Sequence, residues 1–442
     1  MGSQFYFFFA FLVLLFPCVK LLDSATVGQA VAVTNDCLGI GGLVFDKVKD
    51  KLLIFAGVGN LVTHLNDIYK EDAVMNGLKE LESKISQLTN KMQWQFTDLK
   101  AFIVENNFFT VRFWFIGITE LYFQEIAQTA NTLMKYQNDV LKNPNEHSIG
   151  LFRQAVERTP PLHFAYKFIS LFEQNETNPL IWAMNADPYK TEETFERWRK
   201  IIDGVLTQFL LLETFVNGMF WDKNMYGPNE LRDKIYGIYG RIDWLRGNYK
   251  RTYWPGAVEN IIHDVQDNGN IKGNDAKALE IKKHLMSILN DHIFYIIVYD
   301  PCESYENHAF QGNKDQYMVS FRRGGCNVVV YRSYHFLHCD GNAIDRIKDQ
   351  VESCRHGVIK GRGSLEDIPG MIRDKHVSYT GFVGLIKKEH NVVIRSANSY
   401  KAEWGPGWWI TAKGKFYRDP INPSWGLRDE WEENFILVAG FH

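Results

Sequence analysis

The sequence predicts an α+β protein in which a long antiparallel helical bundle is followed by a smaller β-rich, disulfide-bearing C-terminal domain. Apolar residues recur at spacings of three and four along most of the chain between Val74 and Val298, which is the period of amphipathic helices. After Asp300-Pro301 the pattern changes to short β-branched and aromatic runs between glycines, which is typical of strands. We therefore expect a signal peptide over residues 1–25, a helical domain over 26–300 and a β-rich domain over 301–442.

The composition limits the class of protein. A length of 442 residues is too large for one compact core and predicts about two or three domains. The chain is 45% hydrophobic and 14% aromatic, which excludes a mainly disordered protein. Its formal net charge is -3, so it lacks the basic excess that is typical of nucleic-acid binding. We expect no nucleic-acid partner.

The N-terminus predicts secretion. Phe5 to Cys18 is an unbroken apolar run, and Lys20 and the small residues Ser24 and Ala25 follow it, as in a secretory signal peptide. An uncleaved membrane anchor is the alternative, but the run is shorter than the about 18–20 residues that a bilayer-spanning helix needs. The expected location of the mature protein is extracellular.

The next stretch is weakly charged and rich in glycine. Thr26 to Phe45 contains one charged residue, Asp36, and Leu52 to Val62 contains Gly57 and Gly59. Glycine costs roughly 1 kcal/mol relative to alanine inside a helix, so these stretches are expected to be poor helices in water. They suit a membrane-inserting region, and a buried helical hairpin is the alternative.

Long helices are predicted after this stretch. The clearest runs from Val74 to Ile103, where apolar residues form one stripe and most charged residues lie off it. Pro160-Pro161 is expected to break the chain, and Asp187-Pro188 to begin the next helix. The predicted helices span about 74–103, 112–141, 195–219, 231–249 and 276–298.

The C-terminal domain is predicted from shorter runs. β-branched and aromatic segments between glycines indicate strands, and Ala343 to Cys354 indicates a helix. We expect the domain boundary near residue 300. The predicted strands are Tyr317 to Phe321, Val328 to Tyr331, Val377 to Ile386, Asn391 to Arg395 and Trp408 to Ala412.

Cysteine spacing predicts disulfides in the C-terminal domain. Four cysteines fall in a short stretch, which in a secreted protein is typical of a local disulfide framework, and their pairing stays open. Cys37 is the odd thiol and a candidate for an intermolecular disulfide and self-association. A sequon at Asn175 predicts a glycosylated surface loop. The disulfide candidates are Cys302, Cys326, Cys339 and Cys354.

A calcium loop is a candidate between two of the helices. Asp264, Asn268 and Asp275 stand at the first, fifth and twelfth positions of an EF-hand loop, and Gly269 stands at the sixth, where the loop turns sharply. Gln266 departs from this pattern, because a carboxylate is usual at its position. A polar turn between helices is the alternative. No other metal or cofactor is expected.

Residues 376 to 410 resemble the tail of the papain-like cysteine peptidases. His376 opens an apolar strand and aligns with the family's base, and Asn398 aligns with the residue that orients the base. The family's cysteine segment has no counterpart upstream. Cys339 precedes a predicted helix, whose N-terminus favours a thiolate. The resemblance implies a degenerate thiol hydrolase.

The whole architecture resembles the cephalotoxin-like proteins of invertebrates, which are related to the rapunzel-type helical proteins. The resemblance is carried by the stripes from Val74 to Val298, by Gly325 to Tyr331, and by the tail from Asn398 to Gly405. It implies a toxin-like secreted protein without established catalytic residues. Retention in an extracellular matrix is also compatible with it.

These observations rank three functions. The first is a secreted, toxin-like, non-enzymatic protein that acts on a membrane or cell surface through its helical bundle. The second is a structural or interaction protein of an extracellular matrix, linked to matrix proteins through Cys37. The third is the degenerate thiol hydrolase, with Cys339, His376 and Asn398 as catalytic candidates.

Overall fold

The computed structural model describes residues 24–39, 42–65, 72–105, 123–222, 224–302, 308–312, 315–333, 358–361, 381–387, 390–398, 408–418 and 431–441. The chain divides into two compact units by its internal contacts. Unit 1 comprises Met1–Asp187 and Thr194–Leu245, and unit 2 comprises Pro188–Glu193 and Arg246–His442. The predicted signal peptide lies almost entirely outside the described residues, as does the predicted helix over 343–354.

Helices form most of the described chain before residue 290, and strands form most of it afterwards. The protein is therefore α+β, as the sequence predicts. A π-helical turn, Phe123–Ala127, precedes α5. The helices are residues 24–38 (α1), Phe45–Val48 (α2), Leu52–His64 (α3), Asp72–Glu105 (α4), Gln128–Lys142 (α5), Glu146–Arg158 (α6), Pro161–Glu173 (α7), Pro179–Ala186 (α8), Glu192–Phe220 (α9), Tyr226–Thr252 (α10), Gly256–Asp267 (α11) and Asn274–Ser287 (α12).

The predicted helical stripes are confirmed in α4 and α10. In α4, Val74, Leu78 and Leu81 are buried, and Ile85 and Leu88 continue the same buried face. In α10 every member of the predicted stripe is buried: Leu231, Ile235, Ile238, Ile242, Leu245 and Tyr249. These helices bury the face that the spacing of apolar residues marks.

Three short helices, α6 to α8, lie where the sequence predicted only a break. Asn145 begins α6, because its Oδ1 accepts a hydrogen bond from the Ser148 N–H (2.9 Å) while Ser148 Oγ accepts one from the Asn145 N–H (3.2 Å). Pro161 is the first residue of α7, where a fixed φ and a missing N–H are tolerated. Pro160-Pro161 therefore separates two helices and starts the second. Asn178 caps α8 through its side-chain oxygen.

The glycine-containing stretch 26–62 is helical in α1 and α3, contrary to the expectation that it forms poor helices. Val27, Ala30 and Val33 of α1 are buried, and so are Phe55 and Ala56 of α3. Tertiary burial supplies the stabilisation that intrinsic helix propensity lacks. The stretch is helical and buried, as the alternative of a buried helical hairpin predicts.

The central helix of unit 1 is α9. The sequence predicted one apolar stripe from Phe195 to Met219, and every residue of that stripe is buried. The structure goes further, because all residues from 201 to 219 are buried, on every face of the helix. A helix buried all round lies in the core of its unit.

Unit 2 contains two sheets. One has the order β3-β4-β1-β7 and is antiparallel; the other has the order β2-β6-β9-β8-β5, in which only β5 and β8 pair in parallel. The predicted strand segments fall on β3, β4, β6, β7 and β8. The strands are Ile293–Tyr299 (β1), His308–Gly312 (β2), Tyr317–Arg323 (β3), Cys326–Ser333 (β4), Val358–Gly361 (β5), Gly381–Lys387 (β6), Val393–Asn398 (β7), Trp408–Arg418 (β8) and Trp431–Phe441 (β9).

Strand β1 separates two cores. Phe294, Ile296 and Val298 pack in one cluster with residues of α11 and α12. Tyr295, Ile297 and Tyr299 face the opposite way and pack with residues of β6 and β9 in the second sheet. This alternation is the period of a strand, and both faces are covered, so the segment is apolar throughout.

One prediction about this region is wrong. The helix predicted over 276–298 ends at Ser287, and its last residues form strand β1. A short apolar run with β-branched and aromatic residues does not distinguish a buried helix from a buried strand. Helices α11 and α12, which the sequence assigns to the helical domain, pack on the first sheet and belong to unit 2 by their contacts.

Candidate functional site

Helix α9 has the length and composition of a membrane-spanning helix. Among the described residues it is the one helix that meets this test, and its most apolar stretch of 18 residues is 100% buried within the protein. The core helix of a water-soluble protein meets the same test. Helix α3 is a shorter apolar helix of the same unit. We call α3 and α9 together the apolar helix pair.

The backbones of the apolar helix pair touch at two glycines. A Cβ atom at Gly218 of α9 would lie 2.0 Å from the Ala56 carbonyl oxygen, and one at Gly59 of α3 would lie 2.3 Å from the Phe215 carbonyl oxygen. Thr63 Oγ1 also donates a hydrogen bond to the Met219 carbonyl oxygen (3.2 Å). Only glycine permits this approach, which is the type of contact found between close-packed membrane helices.

A buried carboxylate on α9 holds the segment that leads into α3. Asp203 accepts hydrogen bonds from the backbone N–H groups of Val44 (2.7 Å) and Phe45 (3.1 Å) and from the Tyr239 hydroxyl group. Burial raises the pKa of Asp203 to about 6, although these hydrogen bonds act in the opposite direction. The Phe45 ring packs edge-on against Tyr236, with centroids 5.1 Å apart.

A second carboxylate lies on the same helix. Glu213 is buried, and its Oε1 accepts a hydrogen bond from Asn217 Nδ2 (2.7 Å). Burial raises the pKa of Glu213. The apolar helix pair thus contains two carboxyl groups that are held away from water, and for both the neutral form is favoured by burial.

Aromatic side chains are exposed beyond the C-terminal end of α9. Trp221 is 62% exposed and Tyr226, at the start of α10, is 72% exposed. Tryptophan and tyrosine have apolar rings with a polar group and are enriched at membrane–water interfaces. The long apolar helix is therefore followed directly by side chains suited to such an interface.

The cysteines that the structure describes are free thiols: Cys37, Cys302 and Cys326. Neither Cys302 nor Cys326, both predicted to form disulfides, is bridged in the structure. Cys302 Sγ lies 3.9 Å from the Asp300 carbonyl oxygen, and Cys326 Sγ lies 3.6 Å from Lys277 Nζ. Burial raises the pKa of Cys37 to about 11 and also raises the pKa of Cys302. Cys339 and Cys354 lie outside the described residues.

The calcium-loop candidates point to separate partners. Asp264 Oδ2 accepts a hydrogen bond from the Tyr189 hydroxyl group (2.8 Å), and Asn268 Oδ1 accepts one from the Asn270 N–H (3.0 Å). Asp275 forms an ion pair with Arg395. Within the described ranges no group of three or more metal-ligating side chains comes together. The segment between Asp267 and Asn274 connects α11 to α12.

The thiol-hydrolase candidates are not brought together by anything the structure describes. Asn398 is the last residue of β7 and pairs with Ile293 of β1. His376 and Cys339 lie outside the described residues. Asn175, the glycosylation candidate, lies in an exposed turn between α7 and α8, where its Oδ1 accepts a hydrogen bond from Arg241 Nη2 (2.7 Å).

Sequence reasoning missed the buried charged residues. Asp203 and Glu213 interrupt the longest apolar run of the helical region, and a carboxylate inside such a run was the available signal. Lys277 of α12 is 7% exposed and no feature of the sequence distinguishes it from its surface neighbours. Its burial follows from the packing of α12 on the first sheet.

Comparisons with known proteins give one match. A family model described as a protein of unknown function (DUF684) matches residues 76–418, which is well over half of the chain. No curated protein and no solved structure matches.

Proposed function

The chain belongs to the DUF684 family of proteins of unknown function. From its helical unit we propose that it is a secreted, toxin-like, non-enzymatic protein that acts on membranes or cell surfaces. The observation that carries the proposal is α9, whose apolar stretch is long enough to cross a bilayer and is entirely covered by protein. A soluble protein that inserts into lipid has to cover such a helix before it meets the membrane.

The apolar helix pair supports a defined inserting element. Membrane helices associate through small residues that let backbones approach, because lipid tails offer no hydrophobic drive for association. Gly59 and Gly218 create this kind of contact between α3 and α9. The pair can therefore keep its mutual contact when surrounding protein is exchanged for lipid.

The two buried carboxyl groups predict a pH dependence for insertion. A charged carboxylate inside a bilayer is costly, and a protonated one costs less. Burial raises the pKa of Asp203 to about 6 and raises that of Glu213, so mild acid neutralises Asp203 within the folded protein. We expect insertion to be favoured below about pH 6. The net charge of -3 implies that apolar contact, rather than attraction to anionic lipid, drives it.

Dye release from lipid vesicles tests the proposal. The purified mature chain at micromolar concentration should release dye from phosphatidylcholine vesicles, more strongly at about pH 5 than at about pH 7.5. Asp203→Asn, which keeps the side-chain shape without the charge, should reduce the difference between the two pH values. Absence of leakage at both pH values would remove the membrane action.

Two tryptophans of similar exposure provide a matched control. Trp221 is 62% exposed beside the end of α9, and Trp244 is 59% exposed on α10. Trp221→Ser should weaken vesicle binding several-fold, whereas Trp244→Ser should leave it unchanged. Equal losses would indicate general surface stickiness and would contradict a role for this end of α9.

We also propose the finer architecture that the sequence predicts. Contacts of α5 with α4 and α6 support an antiparallel bundle in unit 1. The resemblance to cephalotoxin-like proteins remains part of this proposal. Disulfide mapping of the secreted chain tests whether Cys339 and Cys354, the other two disulfide candidates of unit 2, are bridged.

The matrix alternative has less support. It depends on a disulfide through Cys37, which is 4% exposed and has its pKa raised to about 11 by burial. Thiol–disulfide exchange needs an accessible thiolate. A non-reducing gel that showed dimers lost in Cys37→Ser would reverse this ranking.

A further inference from the structure

A buried lysine and a buried cysteine are in contact in unit 2. Lys277 Nζ lies 3.6 Å from Cys326 Sγ, and Lys277 is 7% and Cys326 1% exposed. Lys277 comes from α12 and Cys326 from the first residue of β4, so the contact joins the helical layer to the sheet. Neither residue has a role in the proposed membrane action.

The Lys277 amine is held by hydrogen-bond acceptors that are not carboxylates. Lys277 Nζ donates hydrogen bonds to the carbonyl oxygens of Gly324 and Gln266 (the latter at 3.4 Å), and its third near neighbour is the sulfur. Within the described part of the chain, no carboxylate forms an ion pair with it. Asp267 is near enough for the Lys277 charge to lower its pKa, but its ion pair is with Arg323. A buried ammonium group without an ion-pair partner is costly, and a reaction that removes its charge would be favoured by burial.

The position of the Cys326 sulfur is also fixed by its neighbours. Cys326 Sγ lies 3.9 Å from Gln266 Nε2, and that amide is fixed by hydrogen bonds to the Cys326 carbonyl (3.1 Å) and from Ser320 Oγ (2.6 Å). Gly324 approaches so closely that a Cβ there would lie 1.6 Å from the Gln266 carbonyl oxygen. The turn, the helix end and the strand thus hold the amine and the thiol together.

We propose that Lys277 and Cys326 form an oxygen-bridged covalent cross-link, Lys-NH-O-S-Cys, with dioxygen as the oxidant. The S–H bond and two N–H bonds of the ammonium group break, and S–O and O–N bonds form. Dioxygen takes up four electrons, two from sulfur and two from nitrogen. One oxygen atom becomes the bridge, and the other leaves as water with the thiol hydrogen and one ammonium hydrogen. A second ammonium hydrogen goes to solvent as a proton, and the third stays on the bridged nitrogen.

The cross-link would join α12 covalently to β4 under oxidising conditions. For the bridge to close, the Lys277 nitrogen and the Cys326 sulfur have to approach each other by less than the length of one covalent bond. Dioxygen is small and apolar enough to reach Cys326, which packs in the same apolar core as Val265 and Ile281. Thiol reductants would open it. The oxidised unit 2 should therefore unfold at higher temperature than the reduced unit.

Mass spectrometry of the full chain tests the cross-link. After incubation in air-saturated buffer, an unreduced tryptic digest should contain one species that joins the Lys277 and Cys326 peptides, heavier than their sum by one oxygen atom less two hydrogen atoms. Trypsin should fail to cleave after Lys277, and a thiol reductant should release both peptides. Protein kept without oxygen should lack the species.

Variants provide the controls. Lys277→Arg keeps the positive charge but should abolish the species, and Cys302→Ser, which removes another buried thiol of unit 2, should leave it in place. The comparison of aerobic with anaerobic wild-type protein needs no variant to fold. Complete alkylation of Cys326 after aerobic incubation, or a disulfide from Cys326 to another cysteine, would overturn the proposal.

Discussion

Units 1 and 2 both bury an ionisable side chain, and the two side chains respond to pH in opposite directions. In unit 1, burial raises the pKa of Asp203 from 3.8 to about 6. In unit 2, burial lowers the pKa of His308 from 6.5 to about 4, and the neighbouring His390 and Arg322 act in the same direction. Each unit favours the neutral form of its buried group. As pH falls, a buried carboxyl group is therefore protonated at a higher pH than in water, whereas a buried imidazole is protonated only at a lower pH.

The two units also share a way of packing. Each contains a glycine where one backbone touches another, Gly218 between the helices of the apolar helix pair and Gly324 between a turn and the end of α11. The second case adds a positive φ of 53°. A glycine at a backbone contact thus brings two helices together in unit 1 and, in unit 2, fixes the turn whose carbonyl oxygen accepts a hydrogen bond from Lys277.

The largest expected effect comes from filling these contacts. Gly218→Ala should destabilise unit 1, and Gly324→Ala unit 2, by about 3 kcal/mol or more, because a backbone carbonyl cannot rotate away from the new methyl group. Hydrogen exchange, read from peptides of α9 and of β4, should show faster exchange only in the unit that carries the change. Faster exchange in both units would show that they do not unfold separately.

Two glycines in open surroundings serve as controls for that experiment. Gly240 of α10 has no atom within 4 Å of its would-be Cβ, and Gly240→Ala should stabilise the helix by up to about 1 kcal/mol. Gly325 is equally open but has a φ of 73°, so Gly325→Ala should cost about 1–2 kcal/mol through backbone strain alone.

The next largest effect is the opposite pH dependence. The Asp203 contribution to stability is fully present below pH 3.8 and is lost as pH rises through about 6, a change of about 3 kcal/mol. The His308 contribution is present above pH 6.5 and is lost as pH falls through about 4, on the order of 2 kcal/mol after allowance for solvent screening.

Hydrogen exchange between about pH 4 and pH 7 measures how the stability of each unit depends on pH. Once the intrinsic pH dependence of amide exchange is corrected for, protection in α9 should rise on acidification, while protection in β1, next to His308 in the core of unit 2, should fall. Asp203→Asn should remove the first trend and leave the second, and His308→Gln should do the reverse. Parallel trends in both units would contradict the assignment of the two buried groups.

The smallest effect concerns ion pairs. Lys250 Nζ lies 2.7 Å from Asp291 Oδ1 in unit 2, with both side chains partly buried, and Lys167 Nζ lies 2.7 Å from Glu125 Oε2 in unit 1, with both about half exposed. Lys250→Met and Lys167→Met should each cost less than about 1 kcal/mol, and Lys250→Met the more. Denaturant titration at low and high salt should show the Lys167 effect vanish first.

The candidate site was predictable only in part. The weakly charged stretch 26–62 and the apolar run after Phe195 are visible in the sequence, and both belong to the apolar helix pair or its attachment. That Gly59 and Gly218 meet was not predictable, because they are far apart in the chain and glycine has no side chain to form a pattern. Asp203 was visible as a charge, but its partners Val44 and Tyr239 were not.

Local spacing in the sequence by itself determined the α+β class, the stripes of α4 and α10 and several strands, because helices and strands have fixed periods that a single segment displays. The tertiary structure alone decided that α9 is buried on every face, that residues 293–299 form a strand, and that Lys277 meets Cys326. Each of those outcomes depends on neighbours from distant parts of the chain. A short apolar segment is stable as a helix or as a strand depending on which neighbouring elements cover it.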